Sequence, residues 1–126
     1  MKLLIQYLAI GCAGFLGAIA RYFVSTTCGR LFGTAFPIGT FVINVSGSLL
    51  LGWFVTFVGN RMVVSDTTRL AIGVGFVGAY TTFSTFMYES DGLLQRGAGL
   101  EAMFNLLGSL MAGLVAVRVG IWLGSD

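Results

Sequence analysis

Four stretches of this chain carry no charged side chain for about the length needed to cross a bilayer: residues 3–20, 38–59, 70–88 and 102–117. A helix needs about 20 mostly apolar residues to span the hydrocarbon core. Four such stretches in 126 residues leave room for little else. The pattern therefore predicts an all-α integral membrane protein, one transmembrane domain over residues 1–126, with spans at about 3–24, 38–59, 70–90 and 101–123. Composition agrees: 10% of residues are charged and 56% hydrophobic, where soluble domains carry roughly 25% charged residues. A signal peptide explains the first stretch less well, although Lys2 and Ala18-Ile19-Ala20 imitate its ends. The apolar run is longer than a usual signal core, and three further spans follow.

Several function classes drop out on composition. The net charge of +2 is too small for nucleic-acid binding. There is no histidine, and Cys12 and Cys28 alone make neither a disulfide framework nor a soft-metal site. No nucleophile–base pair is visible, so an enzyme is not expected.

The third stretch is the unusual one. Gly73, Gly75 and Gly78 precede Thr81-Thr82-Phe83-Ser84-Thr85-Phe86. Glycine weakens a helix, and a lipid-facing helix gains nothing from four hydroxyls at its centre. The combination predicts a third helix broken near its middle, with hydroxyls satisfying the freed backbone and the break facing protein or a wet cavity. Carbonyls released there are candidate cation ligands. Phe83 and Phe86 share a helix face beyond the break. They are either core packing or an aromatic pair whose positive ring edges can touch a small anion.

Two polar stripes accompany the break. Thr40, Asn44 and Ser48 recur at every fourth position in the second span, with Gly52 on the same line. Glu101, Asn105, Ser109 and Gly113 do the same in the fourth. The Asn44 amide needs a partner, either another helix or an ion and water in a pathway. Glu89 falls one turn after Thr85, as interfacial charge or the mouth of a pathway. Arg118 and Trp122 suit a membrane interface.

Charge bias hardly chooses an orientation. Lys2, Arg61, Arg69 and Arg118 share one side of a four-span chain; Arg21, Arg30 and Arg96 share the other. Orientation follows a Lys/Arg excess, so insertion both ways is expected, permitting an antiparallel dual-topology homodimer, a two-chain analogue of an inverted repeat.

These motifs carry a family resemblance. Gly78-x-x-Thr81-Thr82-Phe83-Ser84-Thr85-Phe86 resembles the signature of the Fluc (CrcB-type) fluoride channels. Gly39-Thr40-x-x-x-Asn44-x-x-Gly47-Ser48 resembles that family's second-helix motif, and Gly14-x-x-Gly17-Ala18-x-x-Arg21-Tyr22 its first-helix motif. The resemblance implies a passive fluoride-selective channel in the bacterial plasma (inner) membrane. It would export fluoride to reduce toxicity, through two pores per dimer, each built from both subunits. By position, Phe83 and Phe86 are implied as pore phenylalanines, and Asn44 as the amide of a polar track. Thr40, Ser84, Thr85 and Ser109 are implied to supply hydroxyls near that track. Gly78 and Thr81 are implied to offer backbone carbonyls to a structural sodium ion on the dimer axis. Arg21 is implied to sit at a vestibule drawing in anions, with interfacial anchoring as the alternative. Two positions depart from the pattern. Asn105 stands where the family usually has tyrosine. Ala79 stands where it usually has a second glycine, which places the expected bend at Gly78. The rival reading, a small dual-topology proton-coupled multidrug transporter, needs a membrane-buried acid. Glu89, Asp91 and Glu101 are its only candidates, all expected near helix ends.

Overall fold

In hydrocarbon every backbone polar group must find a partner within the protein, and continuous helices solve this most simply. A computed structural model, describing residues 1–61 and 63–126, shows that solution in four apolar helical segments, Lys2–Phe32, Ile38–Arg61, Asp66–Gln95 and Gly99–Ser125. The chain is a multi-pass membrane protein. Helix α1 covers Lys2–Phe32, α2 covers Ile38–Arg61 and α6 covers Gly99–Ser125. The third segment is composite: α3 (Asp66–Leu70), a π-helical stretch (Ala71–Val77), α4 (Gly78–Tyr80) and, after an interruption at Thr81 and Thr82, α5 (Phe83–Gln95).

Helix α1 outruns its expected end. Ser25 to Phe32, beyond the expected span of residues 3–24, are helical. The Thr26 hydroxyl donates to the Tyr22 carbonyl at 2.8 Å, which lets a polar side chain ride inside a helix. At its 31 residues α1 is about 46 Å long, well beyond the hydrocarbon core of about 30 Å. Arg21 consequently sits along the helix rather than at its end. The helix stops at Gly33, whose φ of 78° needs glycine and whose N–H returns to the Gly29 carbonyl at 3.0 Å. Pro37 lies immediately before α2. Ser65 caps α3, accepting from the Thr68 N–H at 3.2 Å. Gly97, at φ 77°, turns the chain from α5 towards α6.

Packing is closest where glycine faces backbone. Helix α2 lies along α6, and α1 lies along the π-helical stretch. In the first seam Gly120 faces the backbone of Leu49 and Trp53, and Gly52 that of Val117 and Ile121. In the second, Gly17 meets the Phe76 carbonyl and Gly75 meets that of Ile10. Helices in lipid gain no hydrophobic force between themselves, so this close approach is how they adhere.

Two expectations about the third span need correction. The chain does not bend at Gly78, which is right-handed helical at φ −62°, ψ −37°. It opens three and four residues later, where Thr81 and Thr82 are extended. Glu89 and Asp91 do not flank a helix end either, because α5 continues to Gln95.

Candidate interrupted-helix site

The interruption is held by side chains. Asn44, on α2, faces Thr82 and makes a two-point clasp. Its Nδ2 donates to the Thr82 carbonyl at 2.9 Å, and its Oδ1 accepts the Thr82 N–H at 2.8 Å. The Thr82 hydroxyl caps α5, accepting the Thr85 N–H at 3.2 Å, and itself donates to the Thr85 hydroxyl at 3.0 Å. The Thr81 hydroxyl returns to the Val77 carbonyl at 2.9 Å. Next to the clasp, the Ser46 and Tyr80 hydroxyls share a hydrogen bond of 2.8 Å.

Among the carbonyls that this arrangement leaves without their helical donors are those of Gly78 and Thr81. In a continuous helix the Gly78 carbonyl would accept from the Thr82 N–H and the Thr81 carbonyl from the Thr85 N–H. Both N–H groups are taken, the first by Asn44 and the second by the Thr82 hydroxyl. Gly78 is exposed and Thr81 half-buried. Carbonyl oxygens freed from a helix ladder are the ligand type that suits a hard monovalent cation, which binds oxygen dipoles.

Beyond the interruption Phe83 and Phe86 form an edge-to-face pair, with ring centroids 6.3 Å apart and an interplanar angle of 67°. Their surroundings differ: Phe86 is 5% exposed and Phe83 72%. Both border a cavity of about 370 Å³, together with Asn44, Ser48, Thr82 and Ser109. On the far side of Thr82 a second cavity of about 460 Å³ is lined by Arg21, Ser25, Thr40 and Thr85. A third, of about 450 Å³, shares Ser25 and Thr40 with it and reaches Glu89 and Arg96. The interruption thus has open space on two sides: the first two cavities share Thr82, and the second and third share Ser25 and Thr40.

The structure brings Thr40, Asn44, Thr85, Ser109, Phe83, Phe86 and Arg21 to these three cavities. Ser84 is exposed on the outside of α5 and lines none of these three. The two polar stripes approach each other, since a Cβ on Gly113 would lie 3.7 Å from the Ser48 hydroxyl. Sequence reading gave Glu89 no assigned role. It borders the same cavity as Thr40, and its Oε2 is buried with no hydrogen-bond partner among the described residues. The period of four that put Glu89 on the face of Thr85 was the available signal.

Residues 8–121 match a family model described as CrcB-like protein, Camphor Resistance (CrcB). A protein of Chloroflexus aurantiacus called fluoride-specific ion channel FluC is 43% identical over 117 residues, covering 93% of this chain and 93% of that protein. A protein of the same name from Acidobacterium capsulatum is 44% identical over 120 residues, covering 95% and 96%. A third, fluoride-specific ion channel FluC 1 of Moorella thermoacetica, is 40% identical over 121 residues, covering 96% and 85%.

Proposed function

The chain belongs to the CrcB-like family, and from that premise we propose that it is a passive, fluoride-selective channel that lets cytoplasmic fluoride leave the cell. The observation that carries this reading is the clasped interruption of the third span, with an aromatic pair on one side and open space on two. Its relatives' names supply the ion.

The chemistry follows from the residues. Fluoride is small and strongly hydrated, so a site that strips its water must offer donors and positive ring edges in return. Asn44 spends one amide hydrogen on Thr82 and keeps a second for the pathway. The Ser109 hydroxyl and the edges of Phe83 and Phe86 extend that contact in the first cavity, and the Thr85 hydroxyl does so in the second. Thr40 continues the line towards Glu89, and Arg21 raises the local anion concentration in the second cavity. Ser84 joins the pathway only if a second chain covers the outer face of α5. The exposure of Phe83 supports the same arrangement: an antiparallel dual-topology homodimer with two pores, each built from both subunits. The Gly78 and Thr81 carbonyls of the two chains would hold a structural sodium ion, which when bound supplies positive charge between the facing interruptions.

Export needs no energy source beyond the membrane potential. Hydrogen fluoride crosses membranes as a neutral acid and ionises inside; a passive path then releases the anion down an inside-negative potential.

The test is anion release from liposomes that contain only this purified protein, with a potassium ionophore clamping the potential. Rapid fluoride release with chloride retained is expected, without a proton gradient or nucleotide. Absence of fluoride release from a sodium-containing preparation of verified dimers would overturn the reading.

A further inference from the structure

Resting on the channel reading above, we propose that Asn105 is a positioning residue that sets Phe86 through Ser90 and does not contact the permeating ion. Asn105 belongs by its spacing to the polar stripe of α6, yet the structure turns it inwards. It is 2% exposed, and its Nδ2 donates to the Ser90 hydroxyl at 2.9 Å. Ser90, 3% exposed, donates onward to the Phe86 carbonyl at 2.7 Å. From the other side, the Ser109 hydroxyl donates to the Asn105 Oδ1 at 3.4 Å. Ser109 borders the cavity beside the phenylalanines and Asn105 does not. One buried chain of hydrogen bonds therefore runs from a cavity-lining hydroxyl on α6 to the backbone that carries Phe86 on α5.

The need for such a brace comes from the interruption. In an unbroken helix, the rotation of Phe86 about the axis would be inherited from the turns before it. Here α4 ends at Tyr80 and α5 starts afresh at Phe83, so that inheritance is cut. The orientation of α5 must be fixed from outside. Asn44 fixes its first turn at Thr82, and Asn105 fixes its second at Ser90. Leu93 and Ala102, one turn away on the same helix faces, are buried and keep water from the bridge. In such a dry setting each bond strengthens the next. The Ser90 hydroxyl both donates and accepts, which makes it the link between Asn105 and Phe86.

The experiment compares fluoride and chloride release from liposomes bearing the wild type, Asn105→Ala, Ser90→Ala and the double variant, each first shown to keep the wild-type oligomeric state. A positioning role predicts that either single variant lowers fluoride-over-chloride selectivity by about tenfold, the equivalent of one hydrogen bond. The double variant should be no worse than either. If Asn105→Ala alters selectivity and Ser90→Ala does not, Asn105 contacts the ion and the proposal fails. If both variants lose thermal stability while selectivity holds, the bridge is only structural and the proposal again fails. Ser90→Ala removes one oxygen and favours the helix, so it carries the test should Asn105→Ala not fold: unchanged selectivity in it alone overturns the proposal. Wild-type liposomes that release no fluoride would instead overturn the channel reading, and this inference with it.

Discussion

Of the seams that helix α2 makes, those with α6 and with the third span are built by opposite means. Along α6 it meets backbone with backbone: Gly120 faces Leu49 and Trp53, Gly124 faces Trp53 and Phe57, and Gly52 faces Val117 and Ile121. Nothing polar is needed, only the absence of Cβ atoms. Along the third span it meets side chains that reach. Asn44 takes both backbone groups of Thr82, Ser46 takes the Tyr80 hydroxyl, and only Gly47 lies close to Thr81 and Tyr80 as a small residue. The first seam holds two regular helices by shape. The second holds a conformation that the backbone would not keep alone, because an interruption at membrane depth frees backbone groups that need other partners. Rigidity on one side of α2 is what lets the other side support an irregular structure.

The comparison can be broken most severely at the glycine seam. Gly120→Leu would drive a side chain into backbone that has nowhere to move, and no folded bundle should be recovered; a monodisperse variant with an unchanged thermal midpoint would refute the shape account. The clasp comes next. Asn44→Ala leaves the Thr82 N–H without its partner, at about 1–3 kcal/mol, and takes the amide donor from the Thr82 carbonyl. It should cut fluoride release by at least about a hundredfold, the equivalent of two lost hydrogen bonds of ordinary strength. Wild-type release from Asn44→Ala would show that the clasp is dispensable. Phe83→Ile separates function from fold. The single chain leaves this side chain exposed, so the substitution should leave the fold of the chain intact, while fluoride release should be nearly abolished, and normal release would remove Phe83 from the pathway. The smallest effect belongs to Thr82→Ala, which loses the cap of α5 at a cost of about 1 kcal/mol in thermal or denaturant unfolding. No shift at all would mean that Asn44 alone sets the start of α5.

The sequence made some of this plain and hid the rest. Uncharged runs located all four spans, because lipid excludes charge whatever the tertiary structure. Glycines and clustered hydroxyls announced an interruption in the third. Its position was misjudged, since Gly78 has the conformational freedom but the Asn44 clasp, a contact 38 residues distant, decides where the chain opens. The end of α1 was hidden for a similar reason: Thr26 looks like a loop residue until its hydroxyl is seen returning to Tyr22. Asn105 was legible as part of a stripe, but spacing alone could not say that it turns away from the cavity. At Asn44, spacing raised the choice between a helix partner and a pathway donor. The structure shows the helix partner, and its second amide hydrogen keeps the other role available for test.

The π-helical stretch at Ala71–Val77 has a consequence for how this chain can change in length. Deleting a residue from an α-helix rotates everything downstream by about 100°, which would carry the Phe83–Phe86 pair off its face. A π-helical turn already holds an extra residue, so removing one there restores the tighter winding and spares the phase beyond. Exposed Val74 sits in that window. A deletion scan of the third span should therefore find one tolerant stretch ahead of the interruption, where the family can gain or lose a codon without turning its aromatic pair away from the pathway.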